Sequence, residues 1–105
     1  MWYVIYELKL EMNFVEVYEN QFLMVFSSYN QAMLLYNELE KSGCNVKLIS
    51  TPCGLSRGCS QSIIFHIEDT RTVIDIVKNN NIKVSQIYKI VKKDNKLSYV
   101  PVQRA

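Results

Sequence analysis

Residues 22–43 read F-L-M-V-F-S-S-Y-N-Q-A-M-L-L-Y-N-E-L-E-K-S-G, and this stretch decides the fold. Phe22–Phe26 is a short apolar run of the kind that forms a buried strand. Ser27 and Ser28 follow it and offer hydroxyl oxygens to cap a helix. Ala32, Leu35, Tyr36 and Leu39 then recur at the i, i+3, i+4, i+7 spacing of one apolar helix face. Glu38, Glu40 and Lys41 fall off that face. Gly43 supplies the stop, because a helix ends readily on a residue that accepts the left-handed conformation.

The same logic extends downstream. Val46–Ile49 predicts a second strand, which Pro52 ends because proline cannot donate to a ladder. Ser62–Ile67 predicts a third, with Ile63, Phe65 and Ile67 on one side and Ile64 and His66 on the other. Asp69 is placed to cap the next helix, whose apolar positions are Val73, Ile74 and Val77. Asn79-Asn80-Asn81 ends that helix, and Gln86–Val91 predicts a last strand. Strand, helix, strand, strand, helix, strand is the βαββαβ order of an α+β, ferredoxin-like sandwich, one antiparallel sheet with two helices on one face.

Upstream, Trp2, Val4, Tyr6, Leu8 and Leu10 lie on one side of an imperfect alternation that favours a strand over a helix. Phe14–Tyr18 is a second strand-like run, and Met12 and Met24 are alternative starts. The chain therefore divides into an N-terminal strand-like extension (1–20), a ferredoxin-like domain (21–92) and a C-terminal tail (93–105) whose K-L-S-Y-V-P-V offers an edge strand.

Composition narrows the class. A length of 105 residues suits one domain with a modest core. A net charge of +2 is too small to argue for nucleic acid. Lys89, Lys92, Lys93 and Lys96 make a mild basic patch that reads as solvated strand ends. No run of 18 apolar residues occurs, so no membrane-spanning helix is expected. The N-terminus lacks the basic region and cleavage site of a signal peptide. Three cysteines without an export signal predict free thiols and a cytoplasmic protein.

Positions 50–62, S-T-P-C-G-L-S-R-G-C-S-Q-S, carry the chemistry. The segment is glycine-rich, but the Walker pattern ends in Gly-Lys-Ser/Thr and no lysine is present. A phosphatase-type loop would place arginine six residues after its cysteine; that position is Cys59, and Arg57 comes too early. Zinc prefers four ligands in tighter pairs than Cys53-x₅-Cys59, and Cys44 and His66 are the only other candidates. A nucleophilic triad has one histidine to draw on. No metal, cofactor or catalytic set is expected, and His66 reads as an ordinary strand residue.

A thiol site fits better. Thiolates are favoured by positive charge, amide donors and partial exposure. Arg57 lies two residues before Cys59, and Gly54 and Gly58 free the backbone to turn. A disulfide or an exchange between Cys53 and Cys59 is feasible. A plain turn holding two small buried hydrophobes fits the same residues. Cys44 reads as structural.

From Phe22 to about Val91 the chain resembles the Putative Se/S carrier protein-like family of small bacterial domains. Phe26, Ser27 or Ser28, Ala32, Gly43, Val46–Ile49, Thr51-Pro52 and Cys59 occur in the family's order, and I-Y-K-I at 87–90 matches its end. Many relatives carry arginine after the proline and glycine after the loop cysteine, where this chain has Cys53 and Ser60. The resemblance implies that Cys59 carries sulfur or selenium, with Cys53 as a second thiol and Pro52, Gly54, Arg57, Gly58 and Ser60 supporting the loop. It implies a carrier rather than an enzyme, loaded by a cysteine desulfurase-like donor and unloaded to a selenium or sulfur acceptor enzyme. Two other readings stay open. One is a binding or regulatory module, including a homodimer paired through its sheet; the other is a Cys53–Cys59 redox switch.

Overall fold

The computed structural model describes residues 20–52, 54–55 and 60–102. The predicted N-terminal strands, Cys53, Arg57, Gly58 and Cys59 lie outside the described residues.

Among the described residues five strands and two helices follow one another. They are β1 (Gln21–Phe26), α1 (Tyr29–Lys41), β2 (Lys47–Ser50), β3 (Gln61–His66), α2 (Thr70–Asn79), β4 (Gln86–Lys93) and β5 (Lys96–Pro101). A short 3₁₀ turn, Ile67–Asp69, joins β3 to α2. The sheet runs β2-β3-β1-β4-β5, and every neighbouring pair is antiparallel. The first four strands have the order of a ferredoxin-like sandwich, and β5 extends it. In the register, Phe22 faces Phe65 on one side of β1 and Lys89 on the other.

Both helices stop in the same way at their C-termini. Ser28 caps α1, its hydroxyl oxygen accepting the Gln31 N–H at 3.4 Å. At the C-terminus the amides of Gly43 and Cys44 donate back to Glu40 and Leu39, with Gly43 at φ +84°. That pair of bonds is a Schellman motif, which satisfies carbonyls the helix would leave open. Asn81 repeats the device after α2 at φ +52°, with its own amide on Lys78 and that of Ile82 on Val77. Asparagine reaches this region more readily than other side-chain-bearing residues. The β4–β5 hairpin turns on Asp94 and Asn95, both at positive φ. A two-residue turn of this sign matches the strand twist.

One core lies between sheet and helices. Phe22, Met24, Phe26, Ile63, Phe65 and Ile87 point there from the strands, against Ala32, Leu35 and Leu39 of α1 and Val73 of α2. The Phe22 and Phe65 rings stack at 5.6 Å between centroids. Each of the larger of these side chains contributes about 1.5–3 kcal/mol by leaving water. A second cluster, Leu23, Val25, Tyr88 and Ile90, occupies the alternate positions and so the other face of the sheet.

The structure moves several expected residues. Ile67 leaves the strand for the 3₁₀ turn. On α2, Ile76 and Val77 pack with Val73 on the core, while Ile74 lines a shallow surface groove with Arg71 and Lys78. Lys89 is not a solvated strand end: only 1% of it is exposed, and its Nζ lies 4.8 Å from the centre of the Phe22 ring. Strand alternation turns Lys89 to the helix side with Ile87, so Lys89 and Lys92 do not share one basic surface.

Candidate functional site: the loop between β2 and β3

The loop begins where the β2–β3 ladder ends. Ser50 and Gln61 are the last paired residues, and the Thr51 amide then donates to the Ser60 carbonyl at 3.1 Å. Three hydroxyls lock this neck. Ser60 Oγ donates to Thr51 Oγ1 at 2.8 Å, and Thr51 Oγ1 lies 2.7 Å from Ser62 Oγ. Ser62 is fully buried on the helix-free side of β3, where it pairs with Val25. A buried hydroxyl needs a partner, and Thr51 supplies it. Thr51 thus ties the first arm of the loop to both residues of the returning arm.

Beyond the neck the chain turns at once. The Leu55 amide donates to the Pro52 carbonyl at 3.3 Å, and Gly54 has φ +89°. This is the third position of a four-residue turn, where a positive φ calls for glycine. A Cβ built on Gly54 would meet nothing within 4 Å, so backbone conformation rather than space selects glycine here. Leu55 then packs against the Leu23, Val25, Tyr88 and Ile90 cluster. Tyr88 Oη donates to the Leu55 carbonyl at 3.4 Å. Leu55 is therefore seated on the sheet face opposite the helices.

Of the residues predicted to support the loop, Pro52, Gly54 and Ser60 take part in this neck and turn. Ser60 does so through its hydroxyl. Cys53, Arg57, Gly58 and Cys59 lie outside the described residues. Thr51, Leu55, Ser62 and Tyr88 were not singled out as site residues. Their signal was present: three hydroxyls flank the loop, and Leu55 is its one large apolar side chain.

Cys44 is elsewhere. It follows Gly43 in the α1 Schellman motif and packs half-buried against the main core. Burial pushes its thiol above the ordinary range, and the charge and hydrogen bonding of Asp69 push it further. Asp69 occupies the N-cap position of α2 but makes no side-chain cap bond. Thr70 Oγ1 donates to the Ile67 carbonyl at 2.6 Å beside it. Cys44 is thus held as a thiol, the form that does not attack. His66 lies at the far end of β3 from the loop neck, in a cleft of about 200 Å³ with Gln21, Asn45, Lys47 and Ile64. Among the described residues no group of His, Cys, Asp and Glu is placed to hold a metal ion. No helix among them is long and apolar enough to cross a membrane.

A ferredoxin-like α+β domain with a proline–glycine–cysteine loop between its second and third strands is the class that fold and site define. A family model described as Putative Se/S carrier protein-like matches residues 21–89, and the chain belongs to that family. No curated protein matches the chain. Among solved structures, it is similar to the crystal structure of a functionally unknown protein from Pediococcus pentosaceus ATCC 25745. Identity is 13% and the TM-score 0.43, over 78% of this chain and 80% of that one. A likeness that distant carries no argument about fold or function.

Proposed function

We propose that this protein carries sulfur or selenium on Cys59 and hands it from one enzyme to another. The observation that supports this most is the family match across residues 21–89, which spans the whole loop. The neck built by Thr51, Ser60 and Ser62 adds a reason for the location. Thr51 precedes Pro52 and Ser60 follows Cys59 in sequence, so the neck brackets the segment that holds both cysteines.

Loading is an exchange. The Cys59 thiolate attacks the outer sulfur of a persulfide on a cysteine desulfurase-like donor. The donor's S–S bond breaks, the donor leaves as a thiolate, and Cys59 holds the transferred sulfur as a new persulfide. No net oxidation occurs. An acceptor thiolate removes the sulfur by the same step. Cys53 offers a second route: its thiolate attacks the inner sulfur of the Cys59 persulfide and expels hydrosulfide. A Cys53–Cys59 disulfide then remains until two external thiols reduce it. A donor selenopersulfide enters the same exchange. Arg57 and the loop amides favour the thiolate. The chain acts as a substrate of other enzymes and works in the cytoplasm, where thiols stay reduced.

The discriminating experiment uses a desulfurase, cysteine and a Cys53→Ser/Cys59→Ser variant. The wild type takes up sulfur and the variant does not, while both give the same circular dichroism. An undiminished sulfur load in the variant overturns the proposal in favour of a binding or regulatory module.

A further inference from the structure

We propose that residues 1–19 of the same chain cover the helix-free face of the sheet. The face is apolar and buried: Leu23 is 0% exposed, Val25 2%, Ile90 3% and Tyr88 9%. Both helices pack on the other face. Among the described residues, the hydrophobics against this face are Ile49, Ile64 and Tyr99, which are its own strand neighbours, and Leu55 from the loop. Neighbours within a sheet stand beside one another and do not roof the face. One leucine side chain does not shield four residues of two adjacent strands.

Length and position identify the occupant. Nineteen residues precede Asn20 and run directly into β1, which lies in the middle of the sheet. At about 3.3 Å per extended residue they reach roughly 60 Å. The longest dimension of the molecule is 36 Å. The chemistry also matches, since Trp2, Val4, Tyr6, Leu8 and Leu10 alternate to give the segment one apolar side. The family match begins at residue 21, so this cover belongs to the chain outside the shared domain. It shares its apolar surface with Leu55, so cover and cysteine loop rest on the same four side chains. This proposal is independent of what the loop thiols do.

Nuclear Overhauser contacts in the isotope-labelled intact chain test it. Methyl protons of Leu23, Val25 and Ile90 are expected to show contacts to protons of residues 1–19, and to keep them on dilution. In a mixture of labelled and unlabelled chains, filtered spectra are expected to show none between molecules. No contact from any of the three methyl-bearing residues overturns the proposal. Contacts that appear only between molecules overturn it too, because a second copy is then the cover.

Discussion

Tyr88 and Leu55 lie 33 residues apart in sequence and meet across the helix-free face, where Tyr88 Oη donates to the Leu55 carbonyl at 3.4 Å. This bond joins the cysteine loop to the central part of the sheet. At that length it is weak, so Tyr88→Phe is expected to lower global stability by no more than about 1 kcal/mol. Its effect is local. Trypsin is expected to cut after Arg57 faster in Tyr88→Phe than in the wild type, with unfolding midpoints nearly equal. Equal cleavage rates would show that the bond does not restrain the loop.

Thr51 carries more of the loop. Thr51→Val keeps the shape but removes the hydroxyl that partners Ser60 and the buried Ser62. Leaving a buried polar group unsatisfied costs about 1–3 kcal/mol. Urea denaturation is expected to show a loss of that size for Thr51→Val and little loss for Thr51→Ser. Similar losses in both variants would locate the effect in packing.

The two helix stops give an asymmetric pair. Gly43 sits at φ +84° in open space, so Gly43→Ala meets no clash and is strained only in its backbone. About 1–2 kcal/mol of destabilisation is expected. Asn81 already carries a side chain at φ +52°, and Asn81→Gly is expected to stay within about 0.5 kcal/mol of wild type. Thermal unfolding of both variants checks the pair.

Cys44 makes a pH-dependent contribution. Its thiol titrates above its unfolded value because of burial and Asp69. The folded state therefore binds that proton more tightly than the unfolded state. The resulting stability is fully present below the unfolded thiol value and is lost as pH rises through the folded one. Cys44→Ala is expected to flatten this alkaline limb in denaturation curves taken across pH. In a Cys53→Ser/Cys59→Ser background, alkylation of Cys44 is expected to accelerate only at higher pH than for a cysteine in a flexible peptide.

The βαββαβ order was legible because its signals are local. The Phe22–Phe26 run, the Leu35–Leu39 spacing and Gly43 each act within a few residues. The edge strand expected from K-L-S-Y-V-P-V forms as β5, but its turn on Asp94-Asn95 was not read, and β4 runs two residues past its expected end at Val91. Other features depend on register. Thr51, Ser60 and Ser62 become a hydroxyl chain only when Ser50 pairs with Gln61. Lys89 looks like a surface lysine until pairing puts it against Phe22. Asp69 looks like a cap until the helix ends bring Cys44 near it. The loop cysteines were legible as residue types with a spacing, and their chemistry follows from thiol reactivity and family membership.

The central claim is that Cys59 bears the transferred atom. After incubation with a desulfurase and cysteine, alkylation and peptide mass analysis locate the added sulfur. The account predicts one extra sulfur atom on the Cys59 peptide, retained in Cys53→Ser and Cys44→Ala and lost in Cys59→Ser. An equal load in Cys59→Ser, or no load on any cysteine of the wild type, would contradict it.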